Sequence, residues 1–215
     1  MPHPAFSRRQ SVFTLIEIAI VLVIIGLLLG GILKGQELIN SARVKNLATD
    51  FRNIPVFIYA YQDKYRALPG DESAVVAHTA GTLATTGGTP GDGIIDGAWN
   101  SPTKTHESYL FWEHVRKAGL APGSTDIDAT DYPQKNAVSG PVGIQSAKPY
   151  TSMNSGTWFI CSGGITGKLA KQLDVQLDDG DTGTGAMQAN TTADGTAAGD
   201  GALDDATPYV VCMGV

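Results

Sequence analysis

The sequence predicts an α+β fold in which a long N-terminal α-helix packs on a small antiparallel β-sheet head. Three observations carry this expectation: an unbroken apolar run near the N-terminus, a heptad-spaced apolar seam directly after it, and short β-branched segments between turn signals in the C-terminal half. The chain has 215 residues, 42% of them hydrophobic and 17% charged, enough for one ordinary core beside extra segments.

The apolar run comes first. From Val12 to Leu33 only Thr14 and Glu17 interrupt it, and 22 residues at about 1.5 Å each reach about 33 Å, the thickness of a bilayer core. Arg8 and Arg9 precede it and Lys34 follows. The positive-inside rule therefore puts the short N-terminus in the cytoplasm and everything beyond Lys34 outside. A secretory signal peptide would have a shorter apolar core and an A-x-A-like cleavage site. The twin arginines of SRRQSVF make a twin-arginine export signal the minor alternative. Glu17 stands out because a carboxylate inside a membrane helix costs about 2.5 to 3.5 kcal/mol and persists with a partner or a function. The plain alternative is a carboxylate near the interface that reaches water.

The seam follows. Val44, Leu47, Phe51, Ile54, Ile58, Tyr61, Tyr65 and Leu68 alternate spacings of three and four, one face of a continuing helix. A single helix is expected from Phe13 to Tyr65, kinked at Pro55, with Gly26, Gly30 and Gly31 as weak or closely packed points. Leu68-Pro69-Gly70-Asp71 is expected to end it. The head then reads as a turn-rich loop around GDGIIDG at 91–97, a short helix in ESYLFWEHVRKAGL, and strands at 141–145, 157–161 and 208–213.

Charge narrows the function classes. Residues 1–66 carry a net +4 and the rest −10, and nothing basic follows Lys171. Such a head repels phosphate, so nucleic acid is not an expected partner. Catalysis is not expected either: His78, His106 and His114 form no HExxH, SGGITGKL misses the P-loop at Ser162 and Leu169, and no GxSxG occurs. Trp99, Trp112 and Trp158 read as core or interface residues.

The string Phe13-Thr14-Leu15-Ile16-Glu17-Ile18, behind a short basic leader and ahead of the apolar helix, resembles the N-terminus of type IV pilins and of type II secretion pseudopilins. The resemblance implies four segments: a leader at 1–12, a transmembrane and assembly helix at 13–34, its amphipathic continuation at 35–68, and an α+β head at 69–215 outside the inner membrane. It implies cleavage by a prepilin peptidase between Val12 and Phe13 and methylation of the new Phe13 amine. It also implies that Glu17 pairs with the N-terminal amine of a neighbouring subunit. The partners implied are copies of the chain, other pilins or pseudopilins, the peptidase and an inner-membrane assembly platform. The family places Gly before the cut where this chain has Val12. That departure is the main support for an alternative, a membrane-anchored periplasmic binding protein that never polymerises.

Two further expectations concern the head. In an exported domain Cys161 and Cys212 pair, as cysteines near the C-terminus of many type IV pilins do; the alternative is two buried thiols. The acidic segment from Asp174 to Asp205 offers Asp178, Asp179 and Asp181 as calcium ligands, and major pseudopilins carry a calcium in such a loop. A solvated acidic loop is the plainer reading. Asp92 and Asp96 form a second, weaker candidate.

Overall fold

The computed structural model describes residues 14–215, and the chain divides into two units after Ser41. Helix α1 runs from Leu15 to Tyr65. Its N-terminal part is built of Leu, Ile, Val and Gly with no proline, and the large apolar side chains from Leu15 to Leu33 are exposed. It is long and apolar enough to cross a membrane, and none of its most apolar stretch is buried.

In the second unit the helix becomes one-sided. Val44, Leu47, Ala48, Phe51, Ile54, Ile58 and Tyr61 are buried, so the seam read from spacing is the face that packs. Each of the larger side chains contributes about 1.5 to 3 kcal/mol on burial. Tyr65 is half-buried and Leu68 buried beyond the helix end. Pro55 lies inside the helix, which continues through it. The end comes at Tyr65, ahead of Leu68-Pro69-Gly70: Arg66 takes the left-handed conformation (φ 57°), and its N–H donates to the Gln62 carbonyl at 2.8 Å.

The rest of the second unit is α2 (Val75–Thr79), α3 (Glu107–Lys117), β1 (Val142–Gln145), β2 (Phe159–Thr166), α4 (Gly167–Leu177), β3 (Met187–Asn190), a 3-10 turn (Asp200–Ala202) and β4 (Pro208–Gly214). The four strands form one antiparallel sheet in the order β1-β2-β4-β3. The α1 seam joins Phe111, Trp112 and Val115 of α3, Ile144, Ile160 and Val211 of the sheet, and Leu169, Ala170 and Leu173 of α4 in one core cluster. The α+β expectation holds, as do the helix at α3 and strands at β1, β2 and β4.

Three elements were not anticipated: α2, α4 and β3. β2 also runs five residues past its expected end because of a bulge. Between the pairs Ser162–Val211 and Ile165–Tyr209 two residues, Gly163 and Gly164, oppose Val210 alone. Gly164 has φ +73°, a conformation that side-chain-bearing residues rarely adopt, so the Gly-Gly pair is what permits the extra residue. The near-miss to a P-loop is thus a strand bulge followed at once by α4. Cys161 and Cys212 face each other across β2 and β4 and form a disulfide, with Cα atoms 4.1 Å apart.

The buried seam sets a measurable contrast. Ile58→Ala in the full chain in detergent should lower head stability by about 2 to 5 kcal/mol, read from urea unfolding followed by near-ultraviolet circular dichroism. Val56→Ala, on the exposed face of the same turn, should stay within about 0.5 kcal/mol.

Candidate functional site

Two places concentrate chemistry, one in each unit. The first is the start of α1. Thr14 precedes the helix, and Glu17 sits three residues on. The Thr14 N–H donates to Glu17 Oε2 at 2.8 Å, the Thr14 hydroxyl to the same oxygen at 2.7 Å, and the Glu17 N–H to the Thr14 hydroxyl at 3.3 Å. This is a reciprocal capping box: each side chain satisfies a backbone donor that the first helical turn leaves free. Both Thr14 bonds fall on Oε2, and neither uses Oε1. Thr14-Leu15-Ile16-Glu17 carries the T-x-x-E signature of this cap, a signal the sequence reading passed over. Val12 and Phe13 lie outside the described residues.

The second place is the acidic loop after α4. The carboxylates of Asp174, Asp178 and Asp179 each present an oxygen within 4.8 Å of the others. Asp174 is fully buried at the end of α4, where Oδ1 accepts the Gly180 N–H at 2.7 Å and Oδ2 has no partner. Burial pushes its carboxyl up to about 7, and the charges of Asp178, Asp179 and Asp200 push the same way. Gly185 comes in close: a Cβ there, at φ +70°, would lie 2.1 Å from Asp178 Oδ2. An orphaned buried carboxylate oxygen converging with two others fits a hard cation. Of the three sequence-derived ligands, Asp178 and Asp179 are in the group. Asp181 lies outside the group, its Oδ1 accepting the N–H groups of Gly183 at 3.0 Å and Asp200 at 3.3 Å. Within the group Asp178 accepts the Met187 N–H at 2.8 Å, and Asp179 accepts the Asp181 N–H at 3.0 Å and the Thr184 hydroxyl at 2.8 Å. Asp174 was missed because it lies inside a helix that had not been anticipated.

The weaker candidate around GDGIIDG has another role. Asp71, buried, accepts the N–H groups of Gly91, Asp92 and Gly93 and so fixes the loop. Asp92 accepts the Ile94 N–H at 2.9 Å. Glu107, fully buried at the start of α3, accepts the Asp96 N–H at 2.8 Å through Oε2, while Oε1 has no partner. The histidines are held in structural bonds. His114 Nδ1 accepts the Gly70 N–H at 2.8 Å and its Nε2–H donates to the Thr82 carbonyl at 2.9 Å, so both ring nitrogens are used. His78 pairs with buried Glu72, which also accepts the Tyr61 hydroxyl. Trp99 and Trp112 are buried, and Trp158 is half-buried edge-on to Tyr59.

Burial pushes the Glu107 carboxyl up to about 7 from its ordinary 4.5, with Asp71 and Asp96 adding like charge. The folded state therefore favours the protonated form. Its contribution is complete below about pH 4.5 and is lost as pH rises toward 7, up to about 3 kcal/mol. In Glu107→Gln that component should vanish, flattening the stability profile between pH 4.5 and 7 measured by urea unfolding in chelator.

Residues 7–33 match the family model described as the prokaryotic N-terminal methylation motif. This is the prepilin signature of type IV pilins and pseudopilins, and the matched residues include Arg8 and Arg9, the capped Glu17 and the apolar part of α1 up to Leu33. No curated protein and no solved structure matches the chain.

Proposed function

From a chain that carries the prepilin signature ahead of an exposed apolar helix, we propose a non-enzymatic filament subunit of a type IV pilus or a type II secretion pseudopilus. The observation that carries this reading is the capped carboxylate of Glu17 at the entry of a helix whose large apolar side chains are exposed from Leu15 to Leu33. An apolar helix of that kind needs lipid or other helices around it. On this reading the chain waits in a bacterial inner membrane with its N-terminus in the cytoplasm, is cut by the prepilin peptidase between Val12 and Phe13, and is methylated on Phe13. It is then drawn by the assembly platform into a filament in the periplasm or at the cell surface, beside copies of itself and other subunits. Packing between apolar helices supplies cohesion. Glu17 Oε1, which neither Thr14 bond uses, accepts the Phe13 amine of a neighbour and sets axial register.

A second reading is favoured by Val12. A β-branched side chain where the family has Gly obstructs the peptidase, and an uncut chain would be a permanent membrane-anchored binding protein with an acidic head. Intact mass and N-terminal sequencing of the protein from its native membrane separate the two. A chain starting at methylated Phe13 is the expected result, and retention of the leader would favour the anchor. In the processed protein, Glu17→Ala should reduce the sedimentable filament fraction at least tenfold while leaving membrane insertion intact; normal assembly would remove the register role.

The acidic loop is proposed to bind calcium through Asp174, Asp178 and Asp179. The ion would supply the charge these carboxylates lack and hold the loop between α4 and β3. Calorimetric titration of calcium into the full chain in detergent should show Asp174→Asn weakening binding more than tenfold and Asp181→Asn changing it less than threefold. Equal heats for all three proteins would leave a solvated acidic loop.

A further inference from the structure

Asp50 lies on α1 in the second unit, half-buried, and among the described residues no hydrogen bond or ion pair reaches its carboxylate. Every buried carboxylate among the described residues has a partner. Asp71 accepts three backbone N–H groups, Glu72 the Tyr61 hydroxyl and His78, and Glu107 the Asp96 N–H. Glu113 is met by Thr82 and Lys117, and Asp174 by the Gly180 N–H. Asp50 is set back from water with no partner among the described residues to offset the cost, and burial pushes it up to about 6.

The carboxylate borders a cavity of about 90 Å³ whose other walls include Asn53, Phe57, Trp112, Pro122 and Gln134. That is room for about three waters, or for the tip of one long side chain. A negative oxygen pair beside the Phe57 ring and the Asn53 amide suits an ammonium or guanidinium, which gains from the ion pair and from the ring together. Arg116, beside these walls, is already committed: it donates to the carbonyls of Pro122, Ser124 and Tyr132 and to Gln134 Oε1, and its guanidinium lies over the Trp112 ring. Along the same stretch of α1, Arg43, Lys45 and Arg52 are exposed and have no partner among the described residues. One helix thus carries an acid set in a socket and three exposed cations, none of them paired with each other.

We propose that this cavity is a socket for a basic side chain of a second copy of this chain, with Asp50 as its counter-ion and Arg43, Lys45 or Arg52 of that copy as the occupant. The inference rests on the filament reading, which sets copies of α1 side by side. It adds a polar lock on the head-bearing half of the helix, separate from Glu17.

The test uses the full chain in membranes. Asp50→Cys is combined in turn with Arg43→Cys, Lys45→Cys and Arg52→Cys, and the oxidised samples are run without reductant. One of the three pairs should give disulfide-linked dimers and longer ladders well above those of Asp50→Cys alone. Asp50→Lys should lower the sedimentable assembled fraction at least tenfold, and Glu at the cross-linking cation should restore it in the combined variant. Asp50→Asn, close in shape, should keep the unfolding midpoint of the unassembled protein while weakening assembly, which separates a lost contact from a lost fold. Filaments that form normally with Asp50→Asn and show no cross-link for any pair would overturn the socket and leave the filament reading standing. No self-association of the unaltered chain under any condition would overturn the filament reading and take the second copy with it.

Discussion

The head depends on one contact, the buried face of α1 from Val44 to Tyr61. Seven side chains of that face enter a core shared with α3, α4 and the sheet. At about 1.5 to 3 kcal/mol for each of the larger side chains and about 0.8 kcal/mol for Ala48, their burial amounts to a gross stabilisation on the order of 10 to 20 kcal/mol, comparable to the net stability of a whole domain. The four-stranded sheet has strands of four to eight residues, and two of them, β1 and β3, have only four. So small a sheet needs a helix against it to close a core. The disulfide joins residues already opposite one another in β2 and β4, so it pins a register that the ladder also specifies.

Around that contact the head handles its negative charge by burying acids on backbone donors. Asp71 on three N–H groups and Glu107 on the Asp96 N–H tie the GDGIIDG loop to its neighbours. Glu113 holds Thr82, and Glu72 holds His78 and Tyr61. These bonds explain how long, Gly-rich connections adopt one conformation without regular structure: a buried carboxylate that accepts several N–H groups replaces the missing ladder. The same device leaves oxygens over at Glu107 and Asp174.

Where apolar period alone decides an element, the sequence was legible. The α1 seam, α3 and three strands follow from spacing and composition. The end of α1 at Tyr65 agrees with the expected reach of the helix, but the residue that stops it is Arg66, which carries no turn signature and takes the left-handed conformation, rather than Pro69 or Gly70. β3 was not legible: Met187, Gln188 and Ala189 are all buried, so no alternation marks it. α4 was legible in principle, with Leu169, Ala170 and Leu173 at helical spacing, but the Gly-rich SGGITGKL ahead of it reads as a loop and hides the helix start. That miss hid Asp174, whose significance comes from its burial at the end of α4. Thr14-x-x-Glu17 was legible too, yet a carboxylate in an apolar run invites a search for a distant partner before a local one.

On the filament reading the local partner and the distant one are compatible, and the magnitudes say why both are needed. A carboxylate within a membrane helix costs about 2.5 to 3.5 kcal/mol, and a helix cap contributes about 1 kcal/mol. For a chain alone in lipid, the Thr14 cap would therefore offset part of the cost of Glu17 and leave roughly 2 kcal/mol uncompensated. It also fixes the carboxylate in one orientation, with Oε2 spent on Thr14. On the filament reading, the amine of a neighbour then meets an acceptor that is already oriented and still under-satisfied. The pairing supplies the missing stabilisation without the full entropy of ordering a free side chain. A fully satisfied carboxylate would gain little from a neighbour, and a wholly unsatisfied one would resist insertion; the capping box puts Glu17 between these limits.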